Sequence, residues 1–168
     1  EAVRLAESER PGAVHIDFPI DVAELSVAAI PAPAQEGPPG SGPSSGGDLD
    51  AIGDAIDRAE RPLLIVGPAV RRQGAEEALV RLAEKLRLAV MVTSKARGVI
   101  AEDHPLFAGV LTGVYGEETL EGRIVHQSDL ILAVGLDRME LLTPWSYPQP
   151  LIALDAISGR EIWRYDPK

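Results

Sequence analysis

The sequence predicts an α/β domain, a parallel sheet with helices on both faces, and three observations predict it. Leu63–Val66, Leu88–Val92, Asp129–Val134 and Pro150–Leu154 are short, mainly apolar runs of strand length, as expected of strands buried on both sides. Segments with apolar residues at helical spacing separate them. The alternation continues over about 110 residues, the pattern of βα units in a parallel sheet.

The first strand and helix of this domain follow a boundary. Ile30–Gly47, IPAPAQEGPPGSGPSSGG, is almost wholly Pro, Gly, Ser and Ala, and it buries too little apolar surface to offset its ordering entropy. It reads as a flexible linker between residues 1–29 and residues 48–168. Asp48 is a candidate N-cap for a helix whose apolar stripe is Leu49, Ile52, Ala55, Ile56 and Ala59. Arg61-Pro62 ends it, and the run Leu63–Val66 turns at Gly67-Pro68-Ala69. Gly74–Arg87 reads as an amphipathic helix with Ala75, Ala78, Leu79, Leu82, Ala83 and Leu86 on one stripe. The run Leu88–Val92 ends at Thr93-Ser94-Lys95.

Ala96–Gly116, ARGVIAEDHPLFAGVLTGVYG, is the longest glycine-rich stretch of the domain and is read as a functional loop or a crossover between layers. Glu117–Gln127 reads as a helix with Leu120, Ile124 and Val125 inward. The last two strands end at Gly135 and Asp155. Ahead of the linker, Glu1–Arg10 suits a helix end, and Ala13–Phe18, AVHIDF, alternates like a half-buried strand. That strand has no evident partner nearby.

Composition narrows the function. A formal net charge of -10 argues against a nucleic-acid or anionic-membrane surface. With no cysteine there is no disulfide framework, thiolate zinc site or cysteine nucleophile, which fits a cytoplasmic protein. No apolar run reaches the roughly 20 residues of a membrane span. The chain begins at Glu1 rather than methionine and reads as a piece of something longer.

Five segments together resemble one family. They are RPGAVHIDFPIDV at Arg10–Val22, RPLLIVGPAV at Arg61–Val70, EDHPLFAGVLTGVYG at Glu102–Gly116, SDLILAVGLD at Ser128–Asp137 and LIALDA at Leu151–Ala156. In this order and spacing they resemble the central domain of thiamine-diphosphate-dependent enzymes of the acetolactate synthase and 2-oxoacid decarboxylase group. The resemblance implies a Rossmann-like sheet of the DHS-like NAD/FAD-binding type. It makes residues 1–29 the end of a preceding pyrimidine-binding domain, which would supply the sheet for AVHIDF. It implies thiamine diphosphate and magnesium in the parent enzyme, held by outer domains. The GDG motif of the metal site does not occur here, so this chain alone is expected to be inactive. The implied partners are the parent's other domains and further copies in a homo-oligomer. In some members the central domain binds FAD or ADP, and in others it is structural.

In such sheets ligands sit beyond the carboxyl ends of the strands. The candidate cofactor-binding residues there are Gly67, Ser94, Lys95, Gly113, Gly116, Gly135 and Asp155. Gly113-Val114-Tyr115-Gly116 has the glycines a diphosphate needs for close approach to backbone N–H groups. Glu117 and Glu118 oppose an anion, Pro68 removes a donor, and Arg71, Arg72, Lys95 and Arg138 offset the acids. A structural loop, and a turn-forming role for Asp155, are the competing readings.

His15, His104 and His126 show no metal-ligand spacing, and no nucleophile elbow or Walker A loop is present. Trp145, near Pro144 and Pro148, is either an interface anchor or tucked onto the domain edge. ALDAISGREIWRYD at Ala153–Asp166 looks like one propeller blade, but no second copy occurs. The leading expectation is a non-catalytic central domain of a decarboxylase or carboligase. The alternative is a stand-alone nucleotide-binding regulatory module.

Overall fold

The computed structural model of the protein describes residues 2–6, 12–26, 46–114, 116–137, 140–142 and 145–154. The chain divides into two compact units, Glu1–Ser41 and Gly42–Lys168. The division falls inside the Pro/Gly/Ser stretch, most of which lies outside the described residues.

In the first unit, α1 (Ala2–Ala6) and α2 (Ile20–Ala23) are single-turn helices. Residues 13–18 form no strand, and Val14, Ile16 and Phe18 are exposed. The alternation in the sequence is real, but a strand exists only against a partner, and the described residues of this unit offer none.

The second unit contains α3 (Gly46–Arg58), β1 (Pro62–Val66), α4 (Ala69–Arg72), α5 (Glu76–Leu86) and β2 (Ala89–Thr93). A short 3-10 turn, Ser94–Ala96, leads toward β3 (Phe107–Leu111), and α6 (Leu120–Gln127), β4 (Leu130–Val134) and β5 (Leu151–Leu154) follow. The strands form one all-parallel sheet in the order β3-β2-β1-β4-β5. Chain order reverses direction across the β1/β4 pair, which makes that pair the topological switch point.

Alternate residues of the strands feed the two faces. Leu64, Val66, Val90, Val92 and Leu132 pack with Ile52 of α3 and with Leu79 and Ala83 of α5. Leu63, Ile65, Met91 and Ile131 pack on the other face with Val125 of α6 and with Tyr147. Both faces are covered, which is why these strands carry apolar runs instead of polar alternation. Trp145 packs against the second cluster, edge-on to Tyr147 with ring centroids 5.2 Å apart. It is therefore tucked onto the domain.

Several elements differ from the sequence reading. The helix expected over 74–87 begins at Glu76, because Gly74 takes φ +62° and ends the separate turn α4. Helix α3 starts at Gly46, two residues before the expected cap Asp48. The stretch 96–116 contains a fifth strand. β3 pairs with β2 through a register shift between Val90 and Met91, whose partners are Phe107 and Gly109. Ala108 is left over in that ladder, and Gly109 at φ +122° absorbs the irregularity. Helix α6 is shorter than expected and rotated. Glu121, Gly122 and Val125 face inward, while Leu120 is 61% exposed.

Candidate functional site

The carboxyl ends of the strands bring five of the predicted residues to one rim of the sheet. Gly67 follows β1, Ser94 and Lys95 follow β2, Gly113 lies just past β3, and Gly135 follows β4. Gly116 belongs to the connection between β3 and α6. Asp155 lies outside the described residues.

At the switch point the backbone closes on itself. The Gly67 amide donates to the Val134 carbonyl at 2.9 Å, and the Ala69 amide donates to the Gly135 carbonyl at 3.2 Å. The Gly135 amide donates to the Leu154 carbonyl at 2.8 Å. A Cβ on Gly67 would run into the Gly135 carbonyl oxygen and the Leu136 Cα. These glycines therefore permit the β1 and β4 turns to touch each other. Dinucleotide folds use this crevice for a pyrophosphate, but here the amides of Gly67 and Ala69 already have partners.

At the end of β2, Ser94 and Lys95 are exposed. Lys95 Nζ lies 3.5 Å from Glu140 Oε1, and the Thr93 hydroxyl donates to Glu140 Oε2 at 2.6 Å. The Glu140 side chain is only 2% exposed. A buried carboxylate thus joins the turn after β4 to the end of β2, and it takes up part of the positive charge expected to serve a phosphate.

Past β3 the arrangement is more specific. The Glu121 carboxylate reaches back from the first turn of α6. Its Oε2 accepts the Thr112 amide, and its Oε1 accepts the Val114 amide at 2.7 Å and the Thr112 hydroxyl at 3.0 Å. Gly113, between the two amides, takes φ +85°. Thr119 caps α6, its hydroxyl accepting the Gly122 amide at 3.0 Å and donating to the Gly116 carbonyl at 2.8 Å. Two amides and a hydroxyl converging on one anion make the kind of donor cluster that holds phosphates elsewhere. Here the anion is the chain's own.

The acids that stand out in the sequence of this loop are Glu117 and Glu118. Glu117 and Glu118 are exposed, whereas Glu121 sits among the donors. The available signal was the capping pattern Thr119-Leu120-Glu121, which places Glu121 in the first turn of a helix that closes on a glycine loop. Glu140 carried no such signal, because only the tertiary fold brings it to Thr93.

Each histidine has its own local partner. His104 accepts the Leu106 amide at 3.2 Å and meets Glu84 at 3.4 Å, so it pins its turn to α5. His15 pairs with Asp17 in the first unit, and His126 packs edge-on against Tyr147. Among the described residues, no group of three His, Cys, Asp or Glu side chains is placed to hold a metal. Among the same residues, no helix is long and apolar enough to cross a membrane.

The family model for the thiamine pyrophosphate enzyme central domain matches residues 49–162, more than half of the chain. The chain belongs to that family. This thiamine pyrophosphate enzyme central domain is 35% identical over 139 residues to the probable acetolactate synthase large subunit of Methanocaldococcus jannaschii, covering 80% of the chain and 23% of that protein. It is 34% identical over 137 residues to the probable 2-ketoarginine decarboxylase of Pseudomonas aeruginosa, covering 81% and 23%. A solved structure assigned to the thiamin diphosphate-dependent enzymes, from Mycobacterium smegmatis, matches with a TM-score of 0.59 and 30% identity over 75% of the chain and 25% of its own. The chain spans about a quarter of the length of the curated relatives it matches. The family resemblance and the parallel-sheet fold are thus both established for the central domain, residues 49–162.

Proposed function

We propose that this central domain serves structurally in a thiamine-diphosphate-dependent decarboxylase or carboligase of 2-oxoacids, and that it holds neither FAD nor ADP. The observation that carries this reading is the Glu121 carboxylate seated on the amides of Thr112 and Val114. A diphosphate at Gly113–Gly116 would have to displace a carboxylate already bonded to those donors, and the two negative groups would repel one another. The paired amides of Gly67 and Ala69 support the same reading at the switch point.

Thiamine diphosphate and its magnesium belong, in this reading, to other domains of the parent enzyme, which works as a homo-oligomer. The exposed apolar row Val14, Ile16, Phe18 and Ile20 favours such partners, since in the assembly it needs a covering surface. The alternative, a stand-alone nucleotide-binding regulatory module, draws on the exposed Ser94 and Lys95.

A thermal-shift titration of the chain with FAD, ADP, NAD and thiamine diphosphate separates these readings. A ligand present at 100 times its dissociation constant adds about 2.7 kcal/mol of stability. No shift with any of the four is expected. A saturable shift with FAD or ADP overturns the structural reading, and a shift with thiamine diphosphate overturns the assignment of that cofactor to other domains.

A further inference from the structure

We propose that the turn after β3 is a carboxylate-binding site, filled from within by Glu121, and that this residue determines which anions the turn excludes. The donors are the Thr112 and Val114 amides and the Thr112 hydroxyl. Both carboxylate oxygens are engaged, so the site grips the group in a bidentate fashion. Gly113 turns its neighbours' amides to the same side at φ +85°, and a Cβ there would meet Leu141 Cβ at 3.1 Å. The site is therefore built by the backbone and does not depend on where a long side chain happens to rest.

The approach of α6 fixes the depth of the occupant. Gly122 follows Glu121, and a Cβ on it would collide with the Gly116 carbonyl oxygen. The helix thus packs directly on the loop, and Glu121 itself is only 6% exposed. A pocket of about 250 Å³ opens beside the carboxylate, bordered by Gly109, Val110, Thr119 and Leu120. It offers a free ligand a route to the same donors once the side chain is gone. Two amides and one hydroxyl are neutral, and they match two oxygens of a monoanion in number and spacing. A small carboxylate fits that set; a polyphosphate brings charge for which the set has no counterpart.

The test is rescue in the full chain carrying Glu121→Ala, in which the Thr112 amide loses its acceptor and the Val114 amide keeps only the Thr112 hydroxyl at 3.3 Å. Sodium acetate is titrated against sodium chloride at matched ionic strength, with inorganic phosphate as a third arm, and unfolding temperature is the readout. Acetate at ten times its dissociation constant is expected to raise the variant's Tm by roughly 5 °C and to leave the wild type unmoved. No rise in the variant, an equal rise in the wild type, or a larger rise with phosphate overturns the proposal. If Glu121→Ala does not fold, Glu121→Gln keeps the side-chain volume and one acceptor oxygen. The amide proton resonances of Thr112 and Val114 are then expected to move upfield in NMR spectra, and unchanged resonances overturn the proposal. The inference uses the same loop as the functional reading, but the two can fail separately. A wild-type chain that ignores FAD and ADP can still show no acetate rescue, and a chain that binds FAD elsewhere can still show it.

Discussion

Asp129 does at the amino-terminal rim what Glu121 does at the opposite one. It stands just ahead of β4 and accepts the amides of Glu60 at 2.7 Å and Arg61 at 2.9 Å, the residues that lead into β1. The Glu60 amide, opposed by desolvation and aided by the Arg61 amide and charge, holds its carboxyl below the ordinary value of 3.8. Because the folded value is depressed, the stabilisation is fully present above about pH 4 and is lost as pH falls through the lowered value. The stability gap between wild type and Asp129→Asn should therefore stay constant from pH 5 to 8 and narrow below pH 4. Urea midpoints at each pH measure it, and a gap that widened in acid would contradict the assignment. Glu121 differs from Asp129 in being buried, so its three donors also offset desolvation.

Among the elements, β1 and β4 are bound most closely at their ends. In Gly67→Ala the new methyl must displace backbone of Gly135 and Leu136, not the tip of a flexible side chain. Overpacking of this kind costs about 1–3 kcal/mol, and here it should fall at the upper end. Chemical denaturation with an unchanged m-value is the measure, and a neutral substitution would mean that the turns do not touch. The strands of this pair were legible because Leu63–Val66 and Leu130–Val134 are apolar throughout, which only a two-sided burial explains. β3 was not legible for the converse reason. It is an edge strand, mostly half-buried, and Gly109 at its bulge breaks the pattern that would have marked it. The same holds for α6, where the inward position taken by a charged residue reads as solvent-facing until Thr112 and Val114 are placed opposite it. AVHIDF carries a strand's pattern, and no strand forms over residues 13–18 in this chain.

At the scale of the whole molecule, fold class and family were readable because they depend on the periodicity and order of many residues. The occupancy of the glycine loop depends on a single side chain brought in by a helix, whose one local mark is its place in the first turn behind the Thr119 cap. The two units differ sharply in what they bury. Among the described residues of 1–41 no large apolar side chain is buried, whereas 42–168 contains both core clusters. Residues 42–168 alone are therefore expected to unfold cooperatively, with a Tm within a few degrees of the full chain. Circular dichroism melts would show it, and a broad or absent transition would mean that the first unit is needed for the fold.

The sheet order also sets a timetable for synthesis. β1 is the central strand, yet its partner β4 lies about 70 residues downstream. At ribosomal rates of roughly 5–20 residues per second, one edge of β1 stays unpaired for about 4–14 s after it emerges. During that interval Leu63 and Ile65 have neither α6 nor β4 to cover them. The nascent chain thus passes through a stage with a half-built apolar sheet, and it is there, before the native fold exists, that this domain is most open to chaperones and to self-association.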